Sequence, residues 1–146
     1  MKKYLPTFFL VFLFSSLHGG EKINFLEVTS DTWEEIKTLA VKENKFIFAY
    51  DYDKPCNECK EIENKVFADT AVIKFMNDKF ICIKGKEKEE EKITSGMFQC
   101  RSGSIKLPAG FFILTNDGKV FGRNVFPKEP EKFLELLKTI ITKTKN

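Results

Sequence analysis

Three short, continuously apolar runs constrain this chain more than anything else in it: FIFAY (Phe46–Tyr50), FICI (Phe80–Ile83) and FFILT (Phe111–Thr115). A run with no polar alternation reads as a strand covered on both faces. Helical spacing fills the intervals. Trp33, Ile36 and Ala40 fall on one helical face behind Asp31 and Glu34, which resemble a capping pair, and Asn44-Lys45 closes that segment. Cys59, Ile62 and Val66 keep helical spacing after the first strand, and Asp69–Met76 reads as a second helical segment. Asn116-Asp117-Gly118 supplies turn residues, from which Lys119–Arg123 returns as a hairpin partner. The last helix starts at Pro130 and buries Phe133, Leu137, Ile140 and Ile141. The order reads α-β-α-β-α-β-β-α. Strands separated by helices demand a parallel portion of sheet, and the hairpin adds antiparallel strands. The expected architecture is therefore α/β, a central mixed sheet flanked by helices.

The N-terminus speaks to compartment. Two lysines, an apolar run from Phe8 to Phe14, and small or polar residues up to Gly20 have the layout of a secretory signal peptide. The run falls far short of the ~20 residues that span a bilayer. Ser16, Gly19 and Gly20 are the small residues available for cleavage, and an anchor that is never cut is the alternative. No cysteine lies near the cleavage zone, which argues against a bacterial lipoprotein. The expected organisation is a signal peptide over residues 1–20 and one domain over residues 21–146, in the periplasm, with secretion as the second choice. Sixteen phenylalanines supply a core for such a domain. The net charge of +3 is spread along the chain without a basic, aromatic-studded stripe, so nucleic acid is not an expected partner. The run Lys84–Lys92 mixes both signs and reads as a solvated loop or helix face.

The chemistry concentrates in DYDKPCNECK, where Cys56 and Cys59 are separated by two residues. The pair lies where the strand ending at Tyr50 passes through a short loop into a helix. Pro55 fixes the approach and pushes Lys54 toward an extended conformation. Cys56 then sits at or just before the helix N-terminus, where unpaired N–H groups and the positive dipole end favour its thiolate. Cys59 falls one turn inside, on the apolar stripe with Ile62 and Val66, and should be the more buried thiol. An exposed, activated thiol above a shielded one is what thiol–disulfide exchange requires. Haem attachment would need a histidine after the second cysteine, and position 60 is lysine. Zinc would need four ligands and hence both Cys82 and Cys100, which form no close-spaced pair; no metal and no cofactor is expected. An inert staple is the serious rival, although so short a loop constrains the unfolded chain little.

CNECKEIENKVFADTAVIKFMNDKFICIK resembles the active-site region of the thioredoxin superfamily. More closely, it is similar to the periplasmic C-terminal thioredoxin-like domain of the thiol:disulfide interchange protein DsbD and to related small exported proteins. The shared features are Lys60 after the second cysteine and an acidic helix leading into Val66-Phe67-Ala68-Asp69; the similarity spans about residues 31 to 142. The resemblance implies a thioredoxin fold, disulfide reductase or isomerase chemistry, and a cis-proline facing the active site. Pro108, preceded by Leu107, is the matching position. Three departures stand out. Pro55 replaces the aromatic residue usual before the first cysteine, Tyr50 stands where many thioredoxins carry a buried acid, and MFQCRSGSIKL is longer than usual.

The sequence thus predicts an exported thiol–disulfide oxidoreductase, with Cys56 as nucleophile and Cys59 as resolving thiol. Leu107 and Pro108 would shape the substrate groove, Lys54 and Lys60 would support the thiolate, and Glu58 would oppose it. Expected partners are protein thiols and disulfides, with a membrane electron donor as a further candidate, and the protein is expected to be a monomer. The rival is a binding module that keeps the fold and a structural disulfide but passes no electrons. For Cys82 and Cys100 three readings stay open: a second disulfide, two unrelated residues with Cys82 buried, or an approach of Cys100 to the active site.

Overall fold

The computed structural model of the chain describes residues 22–29, 31–51, 57–85 and 110–144. Residues 1–20, Lys54, Cys56, Cys100, Leu107 and Pro108 lie outside them, as does the charged run beyond Gly85.

The elements are β1 (Phe25–Val28), α1 (Trp33–Glu43), β2 (Phe46–Asp51), α2 (Asn57–Lys65), α3 (Thr70–Lys79), β3 (Phe80–Gly85), β4 (Gly110–Leu114), β5 (Val120–Val125) and α4 (Pro130–Lys143). The strands form one sheet in the order β1-β3-β2-β4-β5. β1 and β2 run parallel to β3, whereas β4 is antiparallel to both β2 and β5, so the sheet is mixed as expected. The three apolar runs occupy its middle, and all five residues of β4 are buried. β1 has no counterpart in the sequence reading. Only Val28 of its four residues is buried, so an edge strand of this length leaves no continuous apolar run to detect.

Local signals set the helix ends. Asn44 adopts a left-handed conformation (φ 52°), tolerable for asparagine, and donates its N–H to the carbonyls of Ala40 and Val41. Asp69 accepts hydrogen bonds from the N–H groups of Ala71 and Val72, so α3 starts afresh after α2 instead of continuing it. The capping pair expected at Asp31 and Glu34 does not form. Thr32 is the N-cap, and its hydroxyl accepts from the N–H of Thr29 at 2.9 Å, while Glu34 pairs with Lys37 at 2.7 Å.

Strand alternation divides the core into two faces. On one, Phe48, Tyr50, Cys82, Phe111 and Ile113 meet Cys59 and Ile62 of α2, Val72 and Met76 of α3, and Phe133 and Leu137 of α4. On the other, Ile47, Ala49, Ile81, Ile83, Phe112 and Leu114 pack with Ile36 and Ala40 of α1. Phe48 is the hub of the first face. Its ring lies within 6.4 Å of the rings of Phe67, Phe80, Phe111, Phe126 and Phe133. Such aromatic pairs add about 0.5–1.5 kcal/mol each beyond simple burial.

Candidate functional site

Every parallel strand of this sheet ends at one pole, and the chain leaving β2 there enters α2. Cys59 is the third residue of α2. Its side chain is 3% exposed and shares the core face with Ile62 and Val66, as the apolar stripe requires. The sulfur is disulfide-bonded. Glu58 beside it is half-buried, and Lys60 is exposed. Glu61, one turn from Glu58, forms an exposed ion pair with Lys128 at 3.4 Å, which links α2 to the segment after β5. An exposed pair of this kind contributes little stability.

Cys82 behaves differently. It lies on β3 at register with Phe48, is 2% exposed, and is a free thiol. Of the three readings left open for Cys82 and Cys100, a disulfide between them is therefore not made. Burial, partly offset by the charge of Lys45, pushes the Cys82 thiol up to about 12. A thiol so reluctant to ionise is a poor nucleophile, and Cys82 packs as a small apolar residue. No group of three or more histidine, cysteine or carboxylate side chains suited to a metal ion exists among the described residues.

The second wing of the site is set by the sheet. Gly110 opens β4 directly opposite Asp51, the last residue of β2. Pro108 precedes Gly110 by two residues in the chain, and both it and Cys56 lie outside the described residues. A surface cleft of about 530 Å³, lined by Asn44, Phe46, Phe75, Lys79 and Lys138, opens at the other pole, where β2 begins. Lys79 is the last residue of α3, where a cation offsets the macrodipole.

A mixed sheet of order β1-β3-β2-β4-β5, with a disulfide-bonded cysteine in the first turns of the helix that follows the central strand, defines a domain of the thioredoxin superfamily. Within it the relationship is narrower. The chain belongs to the DsbH-type thioredoxin family, Thioredox_DsbH, whose model matches residues 18–146 and carries the description "Protein of unknown function, DUF255". No match is found among curated proteins. Solved structures share the fold. A putative disulphide-isomerase from Bacteroides thetaiotaomicron aligns with TM-score 0.65 and 22% identity, covering 83% of this chain and 94% of that one. The oxidised C-terminal domain of DsbD from Neisseria meningitidis aligns with TM-score 0.58 and 16% identity, over 80% of this chain and 98% of that one. A DsbH oxidoreductase aligns with TM-score 0.60 and 12% identity, over 84% of this chain and 88% of that one. At these identities the likeness speaks to the fold.

Proposed function

We propose that the protein is an exported thiol–disulfide oxidoreductase of the reductase or isomerase type, working through Cys56 and Cys59. One observation carries this reading: Cys59 is disulfide-bonded and buried in the first turns of α2, at the pole where the parallel strands end. The names of the structural relatives, a putative disulphide-isomerase, the DsbD C-terminal domain and a DsbH oxidoreductase, agree with it.

In the first step the Cys56 thiolate attacks a substrate disulfide. Its S–S bond breaks, one substrate sulfur leaves as thiolate, and a Cys56–substrate mixed disulfide forms. Cys59 then attacks the Cys56 sulfur. The intramolecular disulfide closes, the second substrate sulfur leaves with the electron pair, and the Cys59 proton is passed on to it. Burial protects Cys59 from competing substrates, so it acts after Cys56. Leu107 and Pro108 form the groove for the substrate strand, as the family resemblance implies, and the pairing of Gly110 with Asp51 is consistent with that reading. Lys54 and Lys60 supply positive charge and Glu58 opposes it. Protein thiols and disulfides of the periplasm are the proposed partners, with a membrane protein as electron donor and the protein itself acting as a monomer.

Insulin reduction tests the proposal. Turnover with dithiothreitol as donor, lost in Cys56→Ser, supports it. Wild-type protein that holds the disulfide yet reduces nothing would instead mark a binding module.

A further inference from the structure

Three helices end at the pole opposite the cysteines. Asn44 at the end of α1, Lys79 at the end of α3 and Thr142 near the end of α4 line one cleft there, beside Phe46 at the start of β2. The last turns of these helices carry Lys42, Lys79 and Lys143, and Lys138 lines the same cleft. The chain also enters the domain at this pole. The carbonyl of Lys22 accepts from Asn77 Nδ2 at 2.8 Å, and the N–H of Asn24 donates to Asn77 Oδ1 at 3.0 Å, which ties the entry to the last turn of α3.

The charge here is unbalanced. Glu43 pairs with Lys45 and Asp78 with Lys79, each at 2.7 Å. Lys22, Lys42, Lys138 and Lys143 have no carboxylate within ion-pair distance among the described residues. The Lys79 ammonium beside Asp78, with Lys45 and Lys74 behind it, holds that carboxyl below the usual carboxylate range. Compensation of helix dipoles accounts for part of this charge, but it fades beyond the last turn. Lys22 precedes the first strand, and Lys138 stands more than a turn before the end of α4, its ammonium 5.8 Å from the Phe75 ring. Between the lysines the surface is apolar. Phe46, Phe75 and Ile141 are half-buried along the cleft, and Val41 beside Lys42 is 57% exposed. At the cysteine pole, by contrast, Lys128 pairs with Glu61 and Lys132 with Glu129.

We propose that the lysine pole docks on an anionic phospholipid surface, its ammonium groups on the headgroup phosphates and the apolar rim of the cleft against the glycerol boundary. Basic side chains interspersed with apolar ones suit that interface, where charge attracts and partial burial holds. The point of chain entry favours a bilayer over a soluble acidic partner. The residues before Lys22 include the apolar run Phe8–Phe14 behind Lys2 and Lys3, so the chain meets the fold at the pole nearest any bilayer that this run engages. Docking in this way points the cysteine pole away from the lipid. The inference is independent of the redox reading.

The test is co-sedimentation of the full chain, with its N-terminal segment, with vesicles of phosphatidylcholine alone or mixed equally with phosphatidylglycerol. Binding should require the anionic lipid and weaken as salt is raised. Each lysine near such a surface contributes about fivefold, so Lys42→Gln/Lys138→Gln should weaken partitioning about thirtyfold. Lys128→Gln/Lys132→Gln removes the same charge at the cysteine pole, beyond the screening length, and should weaken it less than about threefold. Equal urea midpoints for the two double variants and the parent verify that the fold is kept. Equal weakening by the two pairs would reduce the effect to net charge and overturn the assignment. Equal binding to both kinds of vesicle would leave it to the apolar run alone, and absence of binding to either would remove it; both outcomes overturn the proposal.

Discussion

Gly110 pairs with Asp51 across the β2–β4 ladder, so the two chain segments that carry Cys56 and Pro108 join the sheet at neighbouring points. Cys59 lies close by in sequence but is drawn down into the core by α2. On the proposed function the burial of Cys59 makes it the resolving thiol, which leads to the first prediction.

Cys59→Ser removes only the resolving step, so covalent mixed disulfides with substrate proteins should accumulate. Cys56→Ser should trap almost none, because Cys59 is 3% exposed. A non-reducing gel of each variant, expressed with its N-terminal segment, reads the outcome as high-mass adducts that vanish with dithiothreitol. Adducts on Cys56→Ser alone would reverse the two roles.

The reduction potential of the pair is expected nearer that of thioredoxin, about −270 mV, than that of DsbA, about −120 mV. Glu58 sits between the cysteines, and a carboxylate there disfavours a second negative charge on Cys56. Equilibration with glutathione and dithiothreitol buffers measures it. Glu58→Gln should move the potential in the oxidising direction, and a wild-type value near that of DsbA defeats the argument.

Cys82 makes stability depend on alkaline pH. Its thiol is ordinary in the unfolded chain, near 9, and pushed up to about 12 in the fold. Below pH 9 both states hold the proton and the contribution is complete. Above 9 the unfolded chain loses its proton first, so stability should fall by up to about 1.4 kcal/mol per pH unit until 12. Urea denaturation across that range, compared with Cys82→Ala, isolates the effect as a shallower decline in the variant. Iodoacetamide at neutral pH should label Cys82 only after unfolding.

Asp69 separates two helices that would otherwise compete for one stretch of chain. Asp69→Ala removes the acceptor for the N–H groups of Ala71 and Val72 and should cost about 1 kcal/mol, read by urea denaturation. Asp69→Asn keeps an acceptor and should restore most of it. No loss in Asp69→Ala would mean that tertiary packing alone starts α3.

Phe48→Ala should be far more damaging, by about 3–5 kcal/mol, because it empties the hub around which five aromatic rings pack. Phe48→Leu should cost less. A cost below about 1 kcal/mol in the alanine variant would mean that the surrounding rings collapse into the gap.

The sequence by itself determined the elements whose signals are local. Phe46–Tyr50 and Phe80–Ile83 are apolar without interruption, a pattern typical of strands buried on both faces, and both lie at the centre of the sheet. Cys59, Ile62 and Val66 share one helical stripe, and the burial of Cys59 follows from that spacing alone. The turn at Asn116–Gly118 and the start of α4 at Pro130 were legible for the same reason. Tertiary structure decided the rest. Edge strand β1 exists because β3 offers it a ladder, since its own residues are mostly exposed. The state of Cys82 depends on which side chains surround it, and spacing cannot report that. Tyr50, Lys84 and Glu27 are brought level by strand register, a relation between segments up to 57 residues apart in the chain. Local pattern encodes which face a residue takes, whereas partnership across strands is a property of the assembled sheet.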